Sequence, residues 1–239
     1  MHDRWRLGLL AALVVLAGCG GTTGTSGPTT TLTPVEPGTV EPVESTPEPL
    51  ILPGLSRSSV VDPSAVAATH VRTLRNASFW FTYNRSVVAA NGTRLARTSL
   101  GGTVGPDAET YDLTLVRGTG AATNRTTYVA DANGSTGLPP VDPYFGDRIG
   151  TLLGAFESTD VGRPPPNATE GIGTTYEIRA SAFGDRPAEN VTFRATVEPG
   201  GIIMSYELRY DQMHNGTRVT VREELRHQTV LFESFTERG

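Results

Sequence analysis

The sequence predicts an α+β fold: a large curved antiparallel β-sheet, or half-barrel, with a few α-helices covering its apolar face. Three observations carry this. The last third of the chain alternates apolar and polar residues through successive runs separated by turn signals. Two Asp-Pro pairs stand before the two stretches in which apolar residues recur at helical spacing. Between those stretches the apolar period is two.

Asp62 is placed to cap a helix whose first position is Pro63. Ala67, Val71 and Leu74 then recur at i, i+4 and i+7, so an amphipathic helix is expected over 63–75. In ASFWFTYNRSVV, Phe79, Phe81 and Tyr83 share one face and Trp80, Thr82 and Asn84 the other. Asn91-Gly92 reads as a tight hairpin turn, followed by a strand over 94–104. Tyr111, Leu113 and Leu115 mark a third strand, and Tyr128 and Ala130 a shorter fourth.

Asp142-Pro143 repeats the cap signal and starts a helix expected over 143–156. Its apolar stripe is Phe145, Ile149, Leu152, Leu153 and Phe156, and Gly146, Gly150 and Gly154 form a second stripe. Glycine inside a helix costs about 0.5–1 kcal/mol relative to alanine. The stripe therefore fits either close packing on the sheet or a helix kept marginally stable, as a lid would be. Strands follow around Tyr176–Ala180, Val191–Val197, Met204–Tyr210 and Val219–Val221, with Gly200-Gly201 and Asn215-Gly216 turning the chain. Their polar face is laced with Arg and Glu.

The chain opens with a basic segment around Arg4 and Arg6, then the apolar run LGLLAALVVLA and the small residues before Cys19. That run is too short for a helix across a bilayer, which takes about 20 residues. It reads as a signal peptide over 1–18. Arg4-Trp5-Arg6 is not an adjacent arginine pair, which favours the general secretory route. Residues 20–50 are rich in Thr, Pro and Gly, with Glu36, Glu41, Glu44 and Glu48 and no basic residue. Such a segment, taken from Cys19 to residue 58, reads as a disordered tether, either bare or O-glycosylated. Residues 59–239 are left as one domain, with no cysteine to cross-link it.

All twenty basic residues are arginine and the net charge is −5, with no basic run that suggests nucleic acid. The histidines His2, His70, His214 and His227 are scattered, and no metal-ligand, nucleophile-elbow or phosphate-loop motif is present. No enzyme, cofactor or metal is expected from these residues, and His70 reads as a packed core histidine. Asp107, Glu109 and Asp112 lack calcium-loop spacing and read as a solvated edge. Asn76, Asn84, Asn91, Asn124, Asn133, Asn167, Asn190 and Asn215 are N-glycosylation sequons. Asn91, Asn133 and Asn215 each precede Gly, which turn chemistry alone also explains.

Leu16-Ala17-Gly18-Cys19 resembles a lipobox. With the tether, Thr69-His70 before Ser78-Phe79, and the closing GGIIMSYELRY, residues 62–231 resemble haloarchaeal secreted lipoproteins of unknown function. Their architecture is similar to the LolA/LppX/LprG-like half-barrel lipoproteins. The resemblance implies a chain cut before Cys19, lipidated there, held on the outer side of the cell membrane, and carrying or sensing a lipid-like ligand between sheet and helices. The expected ligand wall is Phe79, Phe81, Tyr111, Leu113, Phe193, Met204, Tyr206 and Leu208. The alternative is a structural or envelope-interaction glycoprotein without a cavity. Replacing Cys19→Ser should leave the precursor unprocessed or release it to the medium. Membrane retention of a normally processed Cys19→Ser protein after a salt wash, seen by fractionation, contradicts the anchor.

Overall fold

A computed structural model describes residues 48–119, 122–139, 141–163 and 175–229. The signal peptide, Cys19, most of the tether and Asn167 lie outside these residues. The elements are β1 (Leu50–Leu52), β2 (Leu55–Ser56), α1 (Pro63–Arg75), β3 (Phe79–Ala89), β4 (Arg94–Val104), β5 (Tyr111–Thr119), β6 (Ala122–Asp131) and β7 (Gly134–Ser135). They continue as α2 (Gly146–Gly154), β8 (Asp160–Gly162), β9 (Tyr176–Ala180), β10 (Glu189–Val197), β11 (Ile203–His214) and β12 (Thr217–Thr229).

Ten strands form one open antiparallel sheet in the order β7-β6-β5-β4-β3-β12-β11-β10-β9-β8. Two meanders thus lie side by side. They are joined where β12 pairs with β3, from Val219 opposite Ala89 to Thr229 opposite Phe79. The turns follow local chemistry. Asn215 and Gly216 both have positive φ, 49° and 75°, which makes the two-residue turn that matches strand twist. At Asn91-Gly92 only Gly92 is positive, and the Ala89 amide donates to the Thr93 carbonyl oxygen. That is the longer hairpin with a glycine bulge, not the tight two-residue turn expected.

One face of the sheet is buried as the alternation requires. Phe79, Phe81, Leu100, Leu113, Ile178, Tyr206 and Leu225 all lie in one core with residues of both helices. Asp62 caps α1 as expected, its Oδ1 accepting from the Ala65 amide at 3.0 Å. Helix α2 is shorter than expected. Asp142 and Pro143 belong to a turn in which the Tyr144 amide donates to Asp142 Oδ1 and the Phe145 amide to the Asp142 carbonyl oxygen. Phe145 then takes a left-handed φ of 56°, and the helix begins at Gly146. Phe156 has left the helix and bridges to Phe183.

Two further differences matter. Residues 50–56, assigned to the tether by composition, form the β1–β2 hairpin, and Leu55 is buried in the core. The glycine stripe of α2 faces α1, not the sheet. A Cβ on Gly146 would meet Val71 Cγ2 at 2.4 Å, and one on Gly150 would meet Ala67 Cβ at 3.4 Å. Among the described residues no helix is long and apolar enough to cross a membrane.

The glycine positions therefore separate in sign. Gly146→Ala should destabilise the fold by roughly 1–3 kcal/mol, because Val71 is packed and cannot retreat freely. Gly154→Ala meets only Pro63, at 3.9 Å, and should be neutral or stabilise by about 0.5 kcal/mol. Denaturant midpoints of the two variants check this, and a Gly146→Ala protein as stable as wild type refutes the packing account.

Candidate functional site

The expected ligand wall is the floor of the packed core. Phe79, Phe81 and Leu113 are fully buried, and Tyr111, Phe193, Tyr206 and Leu208 are at most 8% exposed. Over them lie Phe145, whose ring is 5.5 Å from Phe81, and the α2 residues Ile149, Leu152 and Leu153. Met204 departs from the set. It sits where the β10–β11 register shifts between Thr196 and Val197, and it borders the uncovered surface beside Trp80 and Gln228.

The centre of this core holds two histidines. His70, from α1, accepts from the Ile203 amide on Nδ1 at 3.1 Å and donates from Nε2 to the Tyr144 carbonyl oxygen at 2.9 Å. Both ring nitrogens are thus used and the neutral tautomer is fixed. The His227 ring lies 5.0 Å away, its Nδ1 against the Ile203 carbonyl oxygen at 3.2 Å and its Nε2 without a partner. Phe79, Phe81 and Phe145 surround it. Burial pushes His70 down to about 3, helped by its neighbour His227, and burial pushes His227 down to about 4. Both rings are buried, and His70 is packed and hydrogen-bonded as its sequence reading expects.

A buried carboxylate ties α2 to the sheet. Glu223 on β12 is fully covered. It accepts from Arg148 Nε at 2.8 Å and Tyr206 Oη at 2.6 Å, with Arg148 Nη2 on its second oxygen and Arg85 Nε 3.7 Å away. Leaving such a charge unpaired would cost several kcal/mol, which is why the pair holds the helix against the strand.

Among the described residues, the opposite face of the sheet carries no helix. A recess of about 1110 Å³ opens there over β9, β10, β11, β12, β3 and β4. Its side chains include Asn84, Ser86, Thr192 and the arginines Arg97, Arg194, Arg209 and Arg222. Glu177 on this face meets Arg179 and Arg194, the latter at 2.6 Å. A second recess of about 710 Å³ adjoins it, sharing Glu207 and Glu224 and adding Trp80 and Thr82. Sequence reasoning found this polar face but not the grouping of its arginines. The alternation showed a polar side, but which arginines lie together depends on the strand register.

The sequons divide by geometry. Asn91 and Asn215 are exposed at neighbouring hairpin tips, where the Ala90 amide donates to the Arg218 carbonyl oxygen, and Asn124 and Asn133 are exposed. Asn84 lies on the uncovered face inside the large recess, as its strand parity predicts. Asn76 donates to the Arg72 carbonyl oxygen at 2.9 Å. Asn190, at a β10 bulge with φ 52°, donates to Asp211 Oδ2 at 2.8 Å, so its amide is engaged. Asp107 lies in a turn with φ 51°, and Asp112 on β5 is exposed.

Compared with known proteins, the chain matches no protein-family model and no curated protein. What the molecule does must therefore be argued from its own two faces.

The histidine pair gives the covered face a pH signature. Both folded-state values lie below the unfolded value of about 6.5, so the unfolded chain takes up protons first as pH falls. Stability is complete above pH 6.5 and falls as pH drops towards 4, by about 1 kcal/mol per pH unit for each ring. Asp211, held down to about 2 by bonds from Thr220 and Asn190, acts only below this window. Denaturant midpoints at pH 7.5, 6 and 5 should show the slope, and His227→Phe should remove about half of it. A flat profile contradicts the buried neutral pair.

Proposed function

We propose that the chain is a lipid-anchored, glycosylated protein on the outer side of the cell membrane. Its folded unit serves as a scaffold that presents the uncovered polar sheet face to envelope components. The lipobox at Cys19, the tether and the exposed sequons support the location. One observation carries the choice between scaffold and apolar carrier. The residues expected to line a ligand space are the core itself, covered by α2. An acyl chain lying on these residues would take the place that α2 fills. That would break the Arg148–Glu223 pair and bring Ile149, Leu152 and Leu153 into water.

Leu208→Trp tests this. In a packed core the larger ring should destabilise by roughly 1–3 kcal/mol, measured by denaturant unfolding. Wild-type full-length protein should take up no fluorescent fatty acid. Uptake of that probe, with Leu208→Trp as stable as wild type and blocking it, overturns the scaffold in favour of the carrier.

A further inference from the structure

We propose that the uncovered sheet face binds an acidic polysaccharide, with Arg209, Arg222 and Arg97 gripping its sulfate or carboxylate groups and Trp80 stacking a sugar ring. This rests on the scaffold reading and names the partner of its exposed face.

Strand register brings the arginines together. Arg209 lies directly opposite Arg222 across β11 and β12. Arg222 pairs with Ser86 on β3, and Ser86 with Arg97 on β4. All four residues share the uncovered face and line the large recess. At about 4.8 Å per strand, the row spans about 14 Å. Like charges directly opposite each other on a sheet are unfavourable, so the Arg209–Arg222 juxtaposition wants an anion between them.

Among the described residues, no carboxylate is paired with these arginines. Glu177 is engaged by Arg179 and Arg194, and Glu207 and Glu224 by Arg226. Asp211 is engaged by Thr220, Asn190 and Arg218. Among the described residues, Arg97, Arg209 and Arg222 have no carboxylate within 4.0 Å. Three exposed guanidinium forks are thus left on one row, each able to take a sulfate or carboxylate through two parallel bonds.

The rest of the face points to sugar. Between the arginines stand hydroxyl and amide side chains, Ser86, Asn84 and Thr192, which suit sugar hydroxyls. Along β3 the same face continues through Thr82 to Trp80, which is 40% exposed. From Ser86 to Trp80 is about 20 Å of strand. An exposed indole offers a flat apolar surface to the C–H face of a pyranose while its N–H stays free to bond. The two recesses share Glu207 and Glu224 in their linings, and Trp80, Thr82, Asn84 and Ser86 follow one another along β3 from the ring to the arginines.

The test uses the full-length protein in mild detergent, titrated calorimetrically with size-defined dextran sulfate and with neutral dextran at 0.15 M NaCl. Dextran sulfate should bind and neutral dextran should bind at least about tenfold more weakly, the worth of one charge-assisted contact. The double variant Arg209→Gln/Arg222→Gln should lose at least about tenfold in dextran sulfate affinity, with an unfolding midpoint equal to or above wild type. Trp80→Ala should weaken binding several-fold. Arg125→Gln, on the same face but beyond β4 and β5, should bind as wild type does. Equal affinity for both polymers, no binding, or an equal loss in Arg125→Gln overturns the proposal. Those failures leave the scaffold reading standing, since fatty-acid uptake decides that separately.

Discussion

The placing of His70 is the constraint on which the rest of the packing turns. One imidazole joins three parts of the chain that are far apart in sequence: α1, the turn before α2, and the first residue of β11. Removing the ring would leave the Tyr144 carbonyl and the Ile203 amide buried without partners, at about 1–3 kcal/mol each. The Tyr144 bond fixes the turn in which Phe145 takes its left-handed conformation. That conformation sends the Phe145 ring to within 5.0 Å of Tyr83 and sets the start of α2. The Ile203 bond fixes β11 at its bulge, from which the alternation of Tyr206, Leu208 and Tyr210 runs into the core. His227 fills the space beside it and depends on the same Ile203 peptide.

Little of that cluster could be read in advance. His70 belongs to an amphipathic helix that is plain in the sequence, and its burial follows from the stripe. Its partners are carbonyl and amide groups, which carry no residue signature. The turn at Asp142 was misread for a related reason: an Asp-Pro pair serves a helix cap and a tight turn equally well, and the difference is made by the His70 bond to Tyr144. The glycine stripe was legible as close packing, but not its object, because α1 and the sheet are equally good flat neighbours from sequence. By contrast, α1, β4 and the faces of β3, β5, β10 and β11 follow from period and turn residues alone.

The uncovered face was legible in part. Asn215-Gly216 fixes a two-residue turn, so His214 opposes Thr217, and counting back five residues on each side brings Arg209 opposite Arg222. The local signal was sufficient for that pair. Arg97 joins the row only because β12 closes against β3, a contact between the first and last long strands of the domain. No short-range pattern specifies it. The β1–β2 hairpin was hidden for a different reason: its few residues carry the Pro and Gly of the tether composition, and what ties them to the domain is the burial of Leu55 and Ser56 and the bonds from the Val61 and Asp62 amides to the Gly54 carbonyl oxygen. The outermost strands, β7 and β8, are two and three residues long. Short edges limit strand-to-strand pairing with other chains.

The two faces meet in the run Arg222-Glu223-Glu224. Arg222 and Glu224 line the open side, while Glu223 is sealed between Arg148 and Tyr206. Because side chains alternate, a one-residue slip of β12 would exchange these roles. A slip one way would bury Arg222 and Arg226 in the places of Val221 and Leu225, a slip the other way would set Arg222 against Arg148, and either would push Val221 and Leu225 into water. A buried ion pair adds little net stability compared with apolar packing of the same size, but its loss is severe. Glu223 therefore contributes most as a lock on register. The register it enforces is the one that sets Arg209 against Arg222 on the other side. The same constraint that closes the core under α2 thus fixes the charge pattern the molecule presents to its surroundings.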